Sequence, residues 1–569
     1  MKRTRRVSWG FVAPALPMAL LLATGEARAD YNIKATEAAN FTFVEDARCN
    51  LAEAIDSVNM GKTTNGSGLH GCVNVGGGKK IVLEGTGAHY TVGVDGVGIA
   101  VTGVEITSNF ANKDFVEAAA DQRVILVQAG ASLTLTGITI QRIGSFNAQI
   151  IKNQGSLTVN NCVIQGGDTP LPGGGIYNTG NLTMSGSKVQ NNKTGKNGGG
   201  IYTTGPNGIN LNNTTVSSNT SAFSGAGIYG SVSPISLVQC TVSGNKSATN
   251  AGGIFIDEST LSMDRTTIQS NTAGKDGGAI YNYLGTLTMS GGKVTGTHTA
   301  VNGGGLYNLD GDVTLTSATI EGASASADGG GIYTTGTKAL NLSRSTVQNN
   351  KASGNGGGIY NAAVLGIYFE FSTISNNTAT LKGGGIYSSG RCYGTMSTIS
   401  TNTASDVGGG IYSVQGDNSY LELGWTTVGY NHGLHGAGVY VDGHANTFTR
   451  SSIVAKNFLP NGTPQDYTGN PHGEDGLDLR YRNVFGTFDG ITPWKPEDLK
   501  TVNILANSNI LPLASNGGPT KTHEIPTNST ALHAFTGGTG WTCPATDQRG
   551  LPRPAPVGTV CDLGSYERQ

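Results

Sequence analysis

Residues 329–333 read Gly-Gly-Gly-Ile-Tyr, and close variants of this phrase occur eleven times in the chain. The phrases begin at Gly173, Gly198, Gly225, Ala251, Gly277, Gly303, Gly329, Gly356, Gly383, Gly408 and Gly436. A unit of about 26 residues is too short to enclose its own core, so its apolar positions become buried only when neighbouring units stack. The repeat therefore predicts a solenoid.

A second phrase, Leu-Thr followed by Val or Ile and then Asn, lies between the glycine phrases, as in 182–192 and 261–271. Its β-branched residues favour strands, and the glycine runs and Asn-Gly or Asp-Gly pairs supply turns. Helical periodicity is absent from 121–460. These features predict an all-β fold, a parallel β-helix of about thirteen coils with neighbouring coils ~4.8 Å apart.

The composition excludes several other classes of protein. Glycine accounts for 88 of the 569 residues, and each glycine in a helix costs about 1 kcal/mol relative to alanine, which argues against a helical bundle. The glycines follow no Gly-X-Y triplet, so a collagen is excluded. The formal net charge is −2, which gives no electrostatic reason to expect a nucleic acid as partner.

The segment 1–29 has the pattern of a secretory signal peptide. Lys2, Arg3, Arg5 and Arg6 precede an apolar run that ends near Ala23, and 27–29 read Ala-Arg-Ala, a cleavage pattern before Asp30. The apolar run is shorter than the ~20 residues that span a bilayer, and no later stretch is a transmembrane candidate, so we expect none in the mature chain. The predicted organisation is a signal peptide (1–29), an N-terminal capping region (30–120), the β-helix (121–460) and a C-terminal cap or anchor-like segment (461–569). The protein is expected to be secreted from, or displayed on, a bacterium.

Stacking equivalent positions of the repeats places three residue types in columns. The aromatic column is Tyr177, Tyr202, Tyr229, Phe255, Tyr281, Tyr307, Tyr333, Tyr360, Tyr387, Tyr412 and Tyr440. The asparagine column is Asn192, Asn219, Asn245, Asn271, Asn350, Asn377, Asn402 and Asn431, interrupted by Thr297 and Ala323. The third column precedes the glycines: Asn197, Ser224, Asn250, Asp276, Asn302, Asp328, Asn355 and Lys382.

These columns have structural and functional interpretations. Side-chain amides hydrogen-bond from coil to coil in stacked chains, and Asp or Asn before Gly favours turns. Calcium is the one cofactor that the acidic positions Asp276 and Asp328 would suit, although they lie two coils apart. The tyrosines either pack as a ladder or form an outward stripe with flat ring faces for sugars or proteins, with Tyr281, Tyr307, Tyr333, Tyr360 and Tyr387 as the candidate binding residues.

The repeats resemble the Gly-Gly-Ala-Ile and Phe-x-x-Asn repeats of the chlamydial polymorphic outer-membrane proteins, with Val or Ile in place of Phe. Residues 49–55, Cys-Asn-Leu-Ala-Glu-Ala-Ile, are similar to the CSLREA motif that precedes many such β-helices. Residues 513–520, 547–550 and 561–567 are similar to the choice-of-anchor Q domain. The resemblance implies an exported, right-handed β-helix of the pectin-lyase type, secreted or associated with a cell surface or outer membrane, without a defined enzymatic activity.

The cysteines fit this organisation. Cys49 and Cys72 flank the N-terminal segment, Cys543 and Cys561 flank the C-terminal one, and an exported protein retains such pairs as disulfides. We expect both pairs to be oxidised, each closing a loop of about twenty residues and stabilising a cap by ~3 kcal/mol. Cys162, Cys240 and Cys392 lie within the repeats and are expected to be free, buried residues. The segment 52–60 is the one plausible helix, placed to plug the first coil.

No constellation of catalytic residues stands out in the sequence, so no catalytic, cofactor-binding or metal-binding residue is assigned. The weaker candidate is a polar cluster of His432, His435, Asp442 and His444, whose residue types suit zinc or acid–base chemistry although their spacing matches no zinc pattern. The leading hypothesis is an adhesin-like binding protein without catalysis, with a polysaccharide or cell-surface ligand. The alternative is a polysaccharide lyase or glycoside hydrolase acting in a lateral groove, which requires acids and bases that converge across adjacent coils.

Overall fold

A computed structural model describes residues 51, 55, 58–59, 80–83, 89–92, 97–108, 114–118, 123–142, 148–414, 419–443, 446–470, 477–480, 483–489, 502–504, 509–535, 542–553 and 560–569. Over these residues the chain is a parallel β-helix, which confirms the predicted fold class. Each regular coil contributes one strand to each of three long parallel sheets and two residues to a fourth, short sheet. We number the sheets I to IV in the order in which the chain visits them after each glycine phrase.

Sheets I and II each contain sixteen strands. Sheet I is formed by Val97–Ile99, Ile125–Val127, Ile151–Asn153, Ile176–Asn178, Ile201–Thr204, Ile228–Ser231, Ile254–Asp257, Ile280–Tyr283, Leu306–Leu309, Ile332–Gly336, Ile359–Ala363, Ile386–Ser388, Ile411–Val414, Val439–Asp442, Tyr467–Asn470 and Phe488–Asp489. Sheet II is formed by Lys80–Leu83, Val104–Ser108, Ser132–Thr136, Ser156–Asn160, Asn181–Ser185, Ile209–Asn212, Ile235–Val238, Thr260–Asp264, Thr286–Ser290, Asp312–Thr316, Leu340–Ser343, Ile367–Glu370, Arg391–Thr395, Tyr420–Gly424, Asn446–Arg450 and Leu477–Arg480.

Sheets III and IV complete each coil. Sheet III is formed by His89–Val92, Asp114–Ala118, Ile138–Arg142, Val163–Gln165, Lys188–Gln190, Thr215–Ser217, Thr241–Ser243, Thr267–Gln269, Lys293–Thr295, Thr319–Glu321, Thr346–Gln348, Thr373–Ser375, Thr398–Ser400, Thr427–Gly429, Ile453–Ala455, Asn483–Phe485 and Val502–Ile504. Sheet IV is formed by Asp168–Thr169, Lys193–Thr194, Thr220–Ser221, Lys246–Ser247, Thr272–Ala273, Thr299–Ala300, Ser324–Ala325, Lys351–Ala352, Thr378–Ala379 and Thr403–Ala404. An antiparallel pair, Leu513–Ala514 and Thr522–His523, lies outside the coils.

The glycine phrase fits the tight corner between sheets IV and I. Gly329 has a φ of +66°, a left-handed conformation that favours glycine. A Cβ on Gly331 would lie 2.7 Å from the carbonyl oxygen of Gly358 in the next coil. The first glycine therefore turns the chain, and the following ones allow successive corners to stack backbone on backbone.

The core is a stack of aliphatic side chains inside the coil. In the strand Ile332–Gly336, Ile332 is buried, Tyr333 points outward and Thr334 is buried again, as strand alternation requires. Isoleucine or a close aliphatic equivalent fills the first position along the repeats, and these residues form one continuous buried cluster. Stacking thus buries side chains that no single repeat could enclose.

The ladders extend beyond the predicted limits of the β-helix. They begin at Lys80 and reach Ile504, so strands within 80–118 and 467–504 belong to the coils although the sequence analysis placed them in the terminal regions. Those coils lack the glycine phrase, which is why the repeat did not reveal them. In the predicted helix 52–60, the described residues 55, 58 and 59 are helical, as is Leu51 just before it, and Leu51, Ile55 and Val58 join the core cluster at its N-terminal end.

The C-terminal residues 509–535, 542–553 and 560–569, here called the C-terminal latch, lie against the flank of the solenoid. Gln548 donates to the carbonyl oxygen of Ser372 (3.1 Å) and accepts from Thr398 Oγ1 (2.7 Å). The backbone amide of Ser565 donates to Thr427 Oγ1 (3.0 Å), and Phe535 packs edge-on against Trp425 with ring centroids 4.9 Å apart. These residues therefore cover the outer face of sheet III.

Small side chains on sheet III make this contact achievable. The outward positions of its late strands hold Ser375, Ser400, Gly429 and Ala455, whereas an earlier strand holds Gln348. Strands 373–375, 398–400 and 427–429 are buried on both faces. The flat surface left by short side chains lets the latch approach closely enough to form its own apolar cluster against the coils.

The structure contains the Cys543–Cys561 disulfide, which lies in the C-terminal latch. Cys162, Cys240 and Cys392 are free and buried, as the repeat register predicts, and burial raises the pKa of the Cys162 thiol to about 11. The predicted Cys49–Cys72 pair, the signal peptide and its cleavage site lie outside the described residues. In the part of the chain that the structure covers, no helix has the length and apolar character to cross a membrane.

Candidate binding surfaces

The aromatic column lies on the outer face of sheet I and forms one continuous stack. Neighbouring rings from Tyr177 to Tyr440 have centroids 4.6 to 5.7 Å apart and planes inclined by 2° to 21°. The stack follows from the strand register, because Tyr307, Tyr333 and Tyr360 are direct partners in the parallel ladder. The tyrosines therefore point outward, as strand alternation predicts.

The expectation that these tyrosines present flat ring faces to a ligand is wrong. The ring of Tyr333 is covered on one face by Tyr307 at 4.8 Å and on the other by Tyr360 at 4.6 Å. Tyr281 is only 8% exposed, and its four fellow candidates, Tyr307, Tyr333, Tyr360 and Tyr387, are partly buried. The spacing of parallel strands equals the stacking distance of aromatic rings. The ring faces of the column therefore contact one another, and the ring edges and hydroxyl groups are the parts that point towards solvent.

Within the column, the hydroxyl groups of Tyr281 and Tyr333 remain protonated near neutral pH. Burial, followed by neighbouring charges and rings, raises the pKa of Tyr281 and of Tyr333 to about 12. Tyr229 donates to a carboxylate oxygen of Asp257 (3.0 Å) and Tyr412 donates to Asp442 (2.5 Å). The tyrosine hydroxyl groups along the stack thus act as hydrogen-bonding groups.

Replacing Tyr333 with alanine is expected to lower the free energy of unfolding by about 2–3 kcal/mol. This loss lies below the about 3–5 kcal/mol of a fully buried aromatic ring but includes two stacked contacts, each worth about 0.5–1.5 kcal/mol. Urea unfolding followed by tyrosine fluorescence measures the loss. Tyr177→Ala is the matched control, because Tyr177 stacks on Tyr202 on one side and has Lys152 as its register partner on the other. Equal losses in the two variants would contradict a role for two-sided stacking.

The asparagine column is a hydrogen-bonded ladder inside the turn between sheets III and IV. Asn377 Nδ2 donates to Asn402 Oδ1 (2.9 Å) and to the carbonyl oxygen of Val347 (2.9 Å). Asn377 Oδ1 accepts from both the backbone amide and Nδ2 of Asn350, each at 3.0 Å. The predicted coil-to-coil bonding is observed, and the ladder serves the fold rather than a ligand.

One of the two predicted interruptions and the end of this ladder differ from the sequence prediction. His298, not Thr297, occupies the column, because its Nδ1 accepts from the backbone amide of Asn271 (3.1 Å) and its Nε2 donates to the carbonyl oxygen of Ile268 (3.2 Å). The turn between sheets III and IV of that coil contains one extra residue, which shifts the register there by one. The ladder continues past Asn431 to Asn457 and ends on buried Asp466, whose pKa burial raises to about 6.

A second buried polar ladder lies behind sheet I and was missed in the sequence. Asn282 donates to Asn308 (2.8 Å), which donates to Thr334 Oγ1 (3.1 Å), and all three side chains are fully buried. They occupy the inward position two residues after each aliphatic core residue. The recurrence of Asn, Thr or Ser in that position was the available signal.

The column before the glycines is an external hydrogen-bonded ladder. Asp276 accepts from the backbone amide (3.0 Å) and Nδ2 (2.9 Å) of Asn302, and Asp328 accepts from the same two groups of Asn355. An asparagine thus separates the two carboxylates that could have bound calcium. Within the described residues, no group of three or more His, Cys, Asp or Glu side chains is arranged to hold a metal ion.

The described members of the predicted histidine cluster, His432, His435 and Asp442, lie on different parts of the coil. His432 forms an isolated parallel β-bridge with Thr403, at the end of sheet IV. His435 forms another such bridge with Val407. Asp442 lies on sheet I and accepts from the Tyr412 hydroxyl, which in turn accepts from Lys382 Nζ (3.0 Å). His444 lies outside the described residues. Residues close in sequence are separated here because each coil turns them onto different sheets.

Sheet II carries a second aromatic stack that the sequence analysis missed. Tyr368 stacks on Tyr393 at 4.6 Å with planes 5° apart, and Tyr420 and Phe448 continue the row at 5.0 Å per step. A cavity of about 270 Å³ opens beside Tyr368. Its outward-facing lining is Thr314, Asn341, Ser343, Tyr368, Glu370, Tyr393 and Thr395. The one-coil spacing of Tyr368 and Tyr393 was the signal, obscured by the longer column on sheet I.

The repeat matches a known family model. The sequence matches the Chlamydia polymorphic membrane protein repeat at residues 265–283, 344–362 and 371–389. Each matched segment runs from the turn after sheet II, through sheet III and the asparagine, to the next Ile-Tyr strand. The chain is thus a β-helix repeat protein that resembles the polymorphic membrane proteins.

The other two comparisons add little. No curated protein matches the sequence. Among solved structures, the crystal structure of bacteriophage CBA120 tailspike protein 3 is similar, with 12% identity and a TM-score of 0.29 over 73% of this chain. The chain spans 58% of the length of that tailspike chain.

Proposed function

We propose that the protein is an exported, surface-associated β-helical binding protein, adhesin-like and without catalysis. The observation that carries this proposal is the aromatic stack on sheet I, a continuous row of eleven rings, ten of them tyrosines, of which eight are partly exposed. Rigid surfaces of apolar edges with hydrogen-bonding tips suit partner recognition, because little conformational entropy is lost on binding. The match to polymorphic membrane protein repeats and the signal-like N-terminus support a location at the cell surface.

The location is tested by expressing the full chain in a Gram-negative bacterium and treating intact cells with protease. We expect the mature N-terminus at Asp30 and cleavage of the protein on intact cells, because an exported chain at the outer surface is accessible. Full protection on intact cells, together with a retained signal segment, would contradict surface association.

The activity is tested with the purified chain of residues 30–569 on a panel of immobilised polysaccharides and intact bacterial cells. We expect retention of the protein without release of reducing or unsaturated sugar ends. Release of such ends would favour the lyase or hydrolase alternative, since both cleave glycosidic bonds. Retention that is weakened by Tyr333→Ala, but not by a matched substitution such as Asn210→Thr on sheet II, would assign the binding to the sheet I stack.

A further inference from the structure

We propose that the cavity on sheet II binds one uncharged hexopyranose residue of a glycan, with the open ring face of Tyr368 as its stacking platform. The inference rests on the proposed binding function and gives it a ligand class and a site of its own. It concerns a different sheet from the aromatic column of the repeats.

The platform arises at a step along the outer face of sheet II. The register partners of Tyr368 are Tyr393 on one side and Asn341 on the other, and Asn341 pairs in turn with Thr314. Along this row of register partners, the outward side chains are thus small and polar up to Asn341 and aromatic from Tyr368 onward. Tyr393 covers one face of the Tyr368 ring at 4.6 Å, and on the other side lies Asn341, which lines the cavity together with Tyr368.

The corresponding end of the sheet I stack is closed in a different way. Its first ring, Tyr177, has the ammonium group of Lys152 at 6.0 Å from the ring centroid. Tyr368 is 36% exposed, whereas Tyr281 in the sheet I column is 8% exposed. A flat ring placed beside Tyr368 would occupy the position of the next member of the row, one coil further along, where the existing rings are 4.6 to 5.0 Å apart.

The size and lining of the cavity define the class of ligand. Its volume of about 270 Å³ lies just below the ~300–1,000 Å³ of pockets for drug-sized ligands, which suits a single sugar residue. Beside the ring, the hydroxyl groups of Thr314, Ser343 and Thr395 and the amide of Asn341 line the space. An aromatic face surrounded by several hydrogen-bonding groups matches a sugar ring, which has apolar C–H faces and a rim of hydroxyl groups.

The charge of the lining favours an uncharged sugar over an acidic one. Glu370 borders the cavity and accepts from Ser343 Oγ (2.9 Å). A carboxylate accepts hydrogen bonds from sugar hydroxyl groups but repels the carboxylate of a uronic acid. The described residues that line the cavity include no lysine or arginine, and Glu370 is the one charged residue among them.

The site is also preorganised by the solenoid. Asn341, Tyr368 and Tyr393 lie in consecutive strands of the parallel ladder, and their inward neighbours Leu342 and Phe369 are buried in the core. The side chains are therefore held on a rigid surface before a ligand arrives, which reduces the entropy that binding must offset.

The test is calorimetric titration of the chain of residues 30–569 with neutral hexose oligosaccharides (malto-, cello- and manno-series) and with oligogalacturonate of equal length. We expect saturable binding of at least one neutral series and weaker or absent binding of oligogalacturonate. Tyr368→Ala is expected to weaken that binding about tenfold, because it removes the stacking surface, whereas Tyr368→Phe should retain most of it.

Asn341→Tyr is the decisive variant because it does not depend on removing a ring from the fold. The new ring would continue the row over Tyr368 and fill the cavity, so we expect loss of sugar binding at an unchanged or higher unfolding temperature. Sugar binding that survives both Asn341→Tyr and Tyr368→Ala, or a preference for oligogalacturonate, would overturn the inference. If no probe binds while the protein still adheres to cells in a manner sensitive to Tyr333→Ala, this inference fails and the proposed function stands.

Discussion

Replacing Asn377 with leucine is expected to destabilise the protein more than any other single polar substitution in the coils. The substitution would leave the carbonyl oxygen of Val347 and the backbone amide of Asn350 buried without their present partners. Each such unsatisfied group costs about 1–3 kcal/mol. The side-chain amide of Asn350 would also lose its acceptor. We therefore expect the free energy of unfolding to fall by several kcal/mol.

The loss is measured from the midpoint of guanidinium unfolding and from the urea dependence of tryptophan fluorescence. Asn210→Thr is the matched control because Asn210 is exposed on sheet II and its register partners are Thr183 and Ser236. We expect that control to change stability by less than about 0.5 kcal/mol. If the two variants were equally stable, the amide ladder would contribute nothing to the fold.

The protein is expected to lose stability as the pH falls from about 6.5 to 4, because two buried histidines cannot accept protons while folded. Burial lowers the pKa of His298 and of His523 to about 4, from an ordinary value of 6.5. Above pH 6.5 both side chains are neutral in the folded and unfolded chain. Between pH 6.5 and 4 only the unfolded chain binds these protons, so unfolding becomes more favourable by about 3 kcal/mol per histidine.

Asp466 has the opposite effect, and the experiment must separate the two. Burial raises its pKa to about 6, so the folded state binds a proton more readily and gains stability as the pH falls from 6 to 4. We therefore compare wild type with His298→Asn, which places in that column the residue that most coils contain. The difference in unfolding free energy between them should shift by about 3 kcal/mol in favour of the variant between pH 7 and pH 4. A difference independent of pH would show that His298 takes up its proton as readily in the folded protein as in the unfolded one.

The aliphatic core and the asparagine column of the coils could be predicted from the sequence, whereas the second buried polar ladder could not be recognised from the glycine phrases. The short repeat dictates stacking, and parallel stacking places identical positions above one another, so the Ile column had to be core and the Asn column had to bond along the axis. His298 was misplaced because a single inserted residue shifts the register, and the repeat alone does not show which neighbour enters the column.

The outer surface was predicted less well. The direction of the tyrosines follows from strand alternation, but the use of their faces depends on the distance between rings, which the fold sets. The sheet II cavity depends on a step between Asn341 and Tyr368, which are register partners in adjacent coils and lie one full repeat apart in sequence. Such a step has meaning only after the coils are in register.

The sequence by itself determined the parallel β-helix, its one-repeat coil, its buried free cysteines and its two most regular columns, because these depend on periodicity, which is a local property. The tertiary structure alone decided that the C-terminal latch lies on the flank of sheet III, that His432 and Asp442 lie on different parts of the coil, and that Tyr368 lines a cavity on sheet II. The physical reason is that these features depend on contacts between segments far apart in the chain, such as Gln548 with Ser372 and Thr398. Such contacts leave no periodic pattern in the sequence, because they depend on the shape of the outer surface of the folded coils.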